Sequence, residues 1–202
     1  DTIGGVDADI NALTIAVQSP ATPINGGPVP ELNLASGTVD VPAGTPAGRY
    51  DITYQICEDL NPTNCNTATV TLVVAAAELV AQDDAVSGVD GIAGASDVMN
   101  VLADNANGTD TLGGVAATIE DVTLAVNRAA TPINGGPVPV LDPADGTIDV
   151  APNTPAGTYE ILYQLCENLN PTNCDTATAR VTVDAAVLDL QDDQVSDVDG
   201  LV

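Results

Sequence analysis

The chain repeats itself with a constant offset. Residues 1–93 align without a gap with residues 110–202 (110 − 1 = 109), and more than half of the 93 aligned pairs are identical (202 − 109 = 93). Two segments show the repeat best: ATPINGGPVP at 21–30 and 130–139, and LNPTNC at 60–65 and 169–174. A period of this length is too long for one turn of a solenoid and suits a small self-contained domain. The sequence therefore predicts a tandem array.

Short segments of alternating apolar and polar residues, separated by glycine and proline, predict the strands of each copy. In the second copy the strong candidates are 118–126, 146–150, 158–167 and 175–183, and the weaker ones are 98–102 and 83–87. None of these segments has a helical period. Short strands between turns predict an all-β sandwich.

Two acidic segments, AQDD at 81–84 and LQDD at 190–193, follow the last strong strand of each copy. We expect the domain joints there, and the alternative joint is the NANGTD turn at 105–110. This division gives three parts: 1–81, a repeat without its first strand; 82–190, a complete repeat; and 191–202, the start of a following repeat or a donor strand.

The incomplete first repeat has two explanations, which the sequence leaves open. The chain is an excerpt from a longer array, or its last segment completes the first repeat of another copy by strand addition, which would give a fibre. For the second explanation Val195, Val198 and Leu201 are the inward-facing anchors.

The charge balance excludes several classes of function. Three Lys and Arg residues stand against 29 Asp and Glu, the formal charge is −26, and His is absent. Such a surface repels nucleic acid, and a chain without His or Lys lacks the usual general base and Schiff-base amine. No apolar run has the length of a membrane span. We therefore expect neither an enzyme, a nucleic-acid binder nor a membrane-inserted protein.

The four cysteines form two equivalent pairs, Cys57 with Cys65 and Cys166 with Cys174. Each pair encloses an Asn-Pro turn between consecutive strands, where cross-strand neighbours are within disulfide reach. A zinc site is the alternative, but zinc needs four ligands and each repeat offers two cysteines. The sequence predicts two disulfides within the repeats and an oxidising compartment.

A tyrosine follows Thr-Pro-Ala-Gly in both copies, at the start of the strand that leads to the first cysteine. Tyr50 and Tyr159 have the position of a tyrosine corner in Greek-key sandwiches, where the hydroxyl bonds to backbone at the turn. Tyr54 and Tyr163, four residues further on, are expected to pack in the core or against the neighbouring sheet.

The segments PAGRYDITYQICEDLNPTNCNTATVTLVV and PAGTYEILYQLCENLNPTNCDTATARVTV resemble tandem repeats of very large cell-surface proteins of Bacteroidetes, including gliding-motility adhesins. The VLADNANG stretch also resembles a recurrent segment of bacterial cadherin-like repeats. The resemblance implies tandem immunoglobulin-like or cadherin-like Greek-key β-sandwiches on the bacterial cell surface. It implies an adhesive or filament-forming role, copies joined end to end, and calcium at the joints. A glycan-binding module using the INGGP loops (24–28 and 133–137) is the alternative.

Calcium binds carboxylate and carbonyl oxygens, and acidic residues cluster near the predicted joints. The candidate ligands are Asp83, Asp84, Asp90, Asp104, Asp192, Asp193 and Asp199. A cation at the joint would stiffen the array by locking adjacent sandwiches. The alternative is an acidic surface that is only solvated and screened by diffuse cations.

Overall fold

The computed structural model describes residues 1–105 and 107–194. Its strands fall into two groups that pair among themselves, here called unit 1 (residues 1–74) and unit 2 (residues 79–184). The strands of unit 1 are β1 (Thr2–Ile3), β2 (Val6–Asp7), β3 (Leu13–Ser19), β4 (Glu31–Leu32), β5 (Val39–Asp40), β6 (Gly48–Glu58) and β7 (Asn61–Val74). A short 3-10 turn (Ile10–Ala12) precedes β3. The strands of unit 2 are β8 (Leu79–Val80), β9 (Asp84–Asp90), β10 (Ala95–Asn100), β11 (Thr111–Leu112), β12 (Val115–Ala116), β13 (Val122–Arg128), β14 (Val140–Leu141), β15 (Thr147–Val150), β16 (Gly157–Glu167) and β17 (Cys174–Asp184).

Unit 2 is a two-sheet sandwich. One sheet has the order β13-β16-β17-β9 and the other has the order β10-β15-β14. β9 runs parallel to β17, whereas the other pairs are antiparallel, so the chain crosses between the sheets in Greek-key fashion. The predicted all-β fold of tandem Greek-key sandwiches is confirmed.

The predicted strands of unit 2 are present with shifted ends. The largest difference is at 118–126, where β13 begins only at Val122. Thr118 instead donates its amide and its hydroxyl to Asp121 Oδ2, at 3.1 and 2.6 Å. These bonds close a turn that competes with an extended backbone.

The core of unit 2 follows the period-2 pattern of its strands. On β16 the side chains of Tyr159, Ile161, Tyr163 and Leu165 point inward and are buried. They pack against alternate residues of β17 and against the facing sheet, within one cluster that includes Ile148. The two long strands therefore form the centre of the sandwich.

Unit 1 follows the same path but lacks equivalents of β8, β9 and β10. Its sheets have the orders β3-β6-β7, β4-β5 and β1-β2. Its buried apolar cluster is limited to Ala21, Tyr50 and Ile52. Leu72 and Val74 on β7 are only half-buried, whereas their counterparts in unit 2 are buried against β9. One side of unit 1 is therefore an open sheet face.

The anchors Val195, Val198 and Leu201, and the candidate ligand Asp199, lie outside the described residues. The part of the chain that the structure describes has no helix with the length and apolar character of a membrane span.

Candidate functional site

Both predicted disulfides are present, and each closes the hairpin between the two longest strands of its unit. Cys57 pairs with Cys65 and Cys166 pairs with Cys174, with a Cα–Cα distance of 4.1 Å in both pairs. In each pair the cysteines are direct cross-strand partners. The disulfide thus holds the Asn-Pro-Thr-Asn tip of the hairpin in a fixed position.

A buried carboxylate organises the hairpin tip of unit 2. Glu167 Oε1 accepts a bond from the Asn170 amide at 2.7 Å, and Glu167 Oε2 accepts one from the Asn173 amide at 2.8 Å. The Glu167 side chain is buried, and both of its oxygens are satisfied by these bonds. The oxygen of the Asn170 side chain and the second amide hydrogen of Asn173 are thereby directed away from the hairpin.

These two side-chain groups bind unit 1 and the linker that follows it. Asn170 Oδ1 accepts the backbone N–H of Ala47 at 2.7 Å, and Asn173 Nδ2 donates to the carbonyl of Ala77 at 2.8 Å. Asn25, in the INGGP loop of unit 1, donates to the Leu169 carbonyl at 3.0 Å. The disulfide hairpin of unit 2 is therefore the contact surface of the joint.

The linker between the units is also built into unit 2. In β8, Leu79 and Val80 pair with Leu112 and Thr111, and the Gly113 N–H donates to the Glu78 carbonyl at 2.7 Å. The side chain of Leu79 is only 9% exposed and belongs to the core of unit 2. Because the linker is a strand of the following unit, the joint is ordered through backbone bonds rather than through a free tether.

A buried polar cluster lies next to β9. Tyr163 Oη is 2.8 Å from Asp84 Oδ2 and 3.2 Å from Asp110 Oδ2, and all three side chains are buried. Burial raises the pKa of Asp84 to about 7, and it also raises the pKa of Asp110. Asp110 Oδ1 accepts the N–H of Gln82, which partly offsets the effect of burial on its pKa. The cluster fixes the start of β9 against β16.

Unit 1 contains two of the three members of this cluster. Tyr54 Oη, the counterpart of Tyr163, donates to Asp1 Oδ2 at 2.9 Å, and Asp1 is the counterpart of Asp110. The counterpart of Asp84 is Asp193, which is exposed in this structure. A cavity of about 310 Å³ opens beside Tyr54, lined among others by Ile56 and Ala68.

The two corner tyrosines make the same bond. Tyr50 Oη donates to the Pro46 carbonyl and Tyr159 Oη donates to the Pro155 carbonyl, each at 2.7 Å. This is the geometry of a tyrosine corner. It ties the start of the long strand to the preceding turn in both units.

The candidate calcium ligands do not converge in the structure. Asp83 Oδ1 accepts the N–H of Thr178 at 2.8 Å, and Asp90 Oδ1 accepts the N–H of Ile92 at 2.8 Å. Asp104, Asp192 and Asp193 are exposed, and the oxygens of Asp84 face Tyr163 and Asn105. Across residues 1–105 and 107–194, no three acidic, His or Cys side chains form a group that could hold a metal ion. Within the described residues, the carboxylates of the candidate ligands therefore either bond to protein donors or stand apart from one another.

The joint contacts of Asn25, Asn170 and Asn173 and the role of Glu167 were not predicted from the sequence. A signal was present, because INGGP and LNPTNC are identical in both copies, although an isolated sandwich does not require identical loops. The meeting of Asp110 and Asp84 at Tyr163 was not predicted either, because only the fold brings these residues together.

No family model and no curated protein matches the chain. Among solved structures the chain is similar to Drosophila N-cadherin EC1-4, with 16% identity and a TM-score of 0.36 over 86% of this chain. It is similar to the human desmocollin-1 ectodomain, with 9% identity and a TM-score of 0.40 over 85% of this chain, and to human CDH23 EC21-23, with 12% identity and a TM-score of 0.37 over 90%. The chain spans 41%, 33% and 67% of those three structures. At these scores we base no functional argument on the likeness.

Proposed function

We propose that this chain is a structural, non-catalytic module of an extracellular filament or giant adhesin on a bacterial surface. Its work is to span distance through sandwiches joined end to end. The ordered joint between unit 1 and unit 2 carries this proposal. There the hairpin of one unit binds the turns of the unit before it, and the linker is a strand of the following unit.

The repeat supports the same joint between two copies of the chain. Each residue pair at the observed joint has counterparts one full repeat away, in unit 2 of one copy and in unit 1 of another. Asn134 and Ala156 of one copy correspond to Asn25 and Ala47, while Leu60 and Asn61 of the next copy correspond to Leu169 and Asn170. A contact of this head-to-tail type does not close on itself in pairs and propagates as a filament.

The C-terminal part of the described chain is shaped for such a joint. Leu188 is 84% exposed, whereas its counterpart Leu79 is 9% exposed in the core of unit 2. An apolar side chain of this size gains about 2 kcal/mol on burial, which favours seating it in a neighbouring copy. Strand complementation, with the last segment of one copy entering unit 1 of the next, is the mode of joining we propose.

The two disulfides support an oxidising compartment, since cytosolic proteins rarely keep such bonds. The acidic surface suits an exported protein, because a net charge of −26 opposes side-by-side association of copies. We therefore place the module outside the cell.

Sedimentation of the chain across a wide concentration range tests the proposal. We expect species heavier than a single chain to grow with concentration, and electron micrographs to show filaments with a repeat of one or two units. The native polypeptide mass under denaturing, reducing conditions separates the two forms of array. A mass equal to that of this chain means joined subunits, and a mass many times larger means one long polypeptide. A monomer at all concentrations, from a native polypeptide no longer than this chain, would contradict the proposal.

A glycan-binding module is the second candidate, with the INGGP loops as the binding surface. In unit 1 this loop is engaged at the joint through Asn25, which favours the structural role. Saturable binding of the chain on a glycan array, abolished by changes in loop 133–137, would favour the second candidate instead.

Calcium-stiffened joints, which the sequence predicts, are a separate proposal. At low ionic strength calcium would raise the melting temperature and a chelator would reverse the change. Equal responses to calcium and to the same concentration of magnesium would show that the cations only screen charge.

A further inference from the structure

Unit 2 shows which strand covers the face that is open in unit 1. In unit 2, β9 lies parallel to β17, with Ala179 beside Asp84, Val181 beside Val86 and Val183 beside Val89. Unit 1 has the same strand, β7, with Val70, Leu72 and Val74 in those three positions. All three are half-buried, so their side chains still face a space where unit 2 has a strand.

The chain contains a second copy of the missing strand. Residues 193–199 repeat residues 84–90, and the three inward positions of β9 keep their residues: Asp84, Val86 and Val89 correspond to Asp193, Val195 and Val198. Two of the exposed positions change, Ala85 to Gln194 and Gly88 to Asp197. The residues that would be buried against β7 are therefore kept, whereas two of the residues that would contact solvent differ.

We propose that the open face of unit 1 is a binding site for residues 188–199 of a second copy, with the Asp193 carboxyl group seated against the Tyr54 hydroxyl, beside Asp1, as the residue that sets the register. The proposal rests on the end-to-end assembly above and names its site, its donor segment and its alignment. In the resulting complex Asp193 lies beside Val70, Gln194 beside Thr71, Val195 beside Leu72 and Val198 beside Val74. Leu188 takes the position of Leu79.

The polar contact selects one register out of several apolar ones. A strand of alternating Val residues can slide by two positions and still bury its side chains. The Tyr54 hydroxyl, on β6, binds the Asp1 carboxylate beside the 310 Å³ cavity. This polar pair lies at a single position along the open face, and in the proposed register it meets the polar side chain of Asp193. A slide by two residues would place Val195 there and cover the Asp1 carboxylate with an apolar side chain, leaving Tyr54 as its one hydrogen-bond donor in the pair, which costs free energy.

The neighbours of the seat favour this fit. Asp110 has Asp175 near it in unit 2, and the counterpart of Asp175 in unit 1 is the neutral Asn66. The seat in unit 1 therefore has one carboxylate less than its template. In unit 2 Thr178 donates its N–H to Asp83, and the counterparts Thr69 and Asp192 can make the same bond between copies.

Cross-linking tests the register. One full-length chain carries Thr71→Cys and another carries Gln194→Cys; the two are mixed under oxidising conditions. We expect a mixed disulfide between the copies, identified by mass spectrometry of the joined peptides. With Ser196→Cys in place of Gln194→Cys the yield should fall at least about tenfold. A higher yield at Ser196 would overturn the register, and no mixed disulfide in either case would overturn the site.

Substitution of Asp193 tests the seat itself. Asp193→Ala should weaken association of the full chain about tenfold, because the Tyr54 hydroxyl and the Asp1 carboxylate are then covered without the third polar group that the cluster has in unit 2. Asp193→Asn should keep most of the association, because a polar side chain of the same shape remains. Asp104→Ala, at an exposed carboxylate outside the donor segment and its proposed site, is the matched control and should leave association unchanged. Equal association of all three variants with the unchanged chain would overturn the seat while leaving end-to-end assembly in place. Loss of assembly in the unchanged chain would overturn the proposed function instead.

Discussion

At the scale of single residues, the most unusual group is the Asp84 carboxyl, which is buried within hydrogen-bonding distance of Tyr163 and close to Asp110. Burial raises its pKa from 3.8 to about 7, so the folded chain binds this proton more tightly than the unfolded chain. Since the folded state holds the extra proton between pH of about 4 and 7, the free energy of unfolding falls as the pH rises through that window.

Asp84→Asn should flatten this pH dependence. The amide keeps an oxygen for Tyr163 and removes the buried charge, so unit 2 should be more stable at pH 8 by a few kcal/mol at most, and the gain should become small near pH 4. Melting temperatures of dilute protein at both pH values measure the effect. Asp104→Asn removes the same charge at an exposed position and serves as the control; an equal gain there would mean that only the net charge matters.

At the scale of structural elements, the disulfide hairpin has two tasks, to stabilise its unit and to present the joint. The loop-entropy relation gives roughly 2.6 kcal/mol for closing about nine residues. Cys166→Ser with Cys174→Ser should lower the stability of unit 2 by about that amount. The change is measured by denaturant unfolding, with Cys57→Ser and Cys65→Ser as the matched pair in unit 1. Unchanged unfolding would show that the Asn and Glu167 bonds hold the hairpin alone.

The tip of the hairpin makes a sharper prediction. Asn170→Ala removes the acceptor of the Ala47 N–H and one donor to the buried Glu167. Hydrogen exchange at the Ala47 amide should then speed up about tenfold. Asn61→Ala, at the equivalent tip of unit 1, changes an exposed residue and should leave Ala47 exchange as it was in dilute protein. Equal exchange in both variants would mean that other contacts hold the joint.

At the scale of the whole molecule, the proposed assembly depends on the exposed C-terminal segment. Leu188 and Val187 are neighbours with exposures of 84% and 94%, but the counterpart of Leu188 is buried while that of Val187 is the exposed Glu78. Leu188→Ser should therefore weaken self-association about tenfold or more, and Val187→Ser should have little effect. Sedimentation of both variants is the measurement. Similar losses would indicate general hydrophobic attraction rather than a seated side chain.

The strands, the disulfides and the tyrosine positions could be predicted from the sequence because each depends on neighbours in the chain. Alternation marks β16 and β17, and Cys166 and Cys174 stand across a short turn. The joint could not be predicted in the same way. Asn170 meets Ala47 across 123 positions, and Asp84 meets Tyr163 across 79, so no local pattern encodes either contact.

The acidic residues show the same division. Along the sequence, Asp83, Asp84 and Asp90 form a cluster that is typical of a cation site. In the structure, however, their carboxylates bind different partners. The orientation of a carboxylate in the folded chain decides whether it binds a metal, a turn or a tyrosine, and the spacing of residues along the chain does not define that orientation.

The sequence by itself determined the repeat, the β-sandwich class and the two disulfides, because periodicity and short-range pairing are written along the chain. The tertiary structure alone decided which side chains are buried and which residues meet at the joint. The same strand pattern gives a full core in unit 2 and an open face in unit 1, because burial depends on whether β9 and β10 are there to pack against it. In unit 2, β9 is far in sequence from β17, the strand beside which it lies.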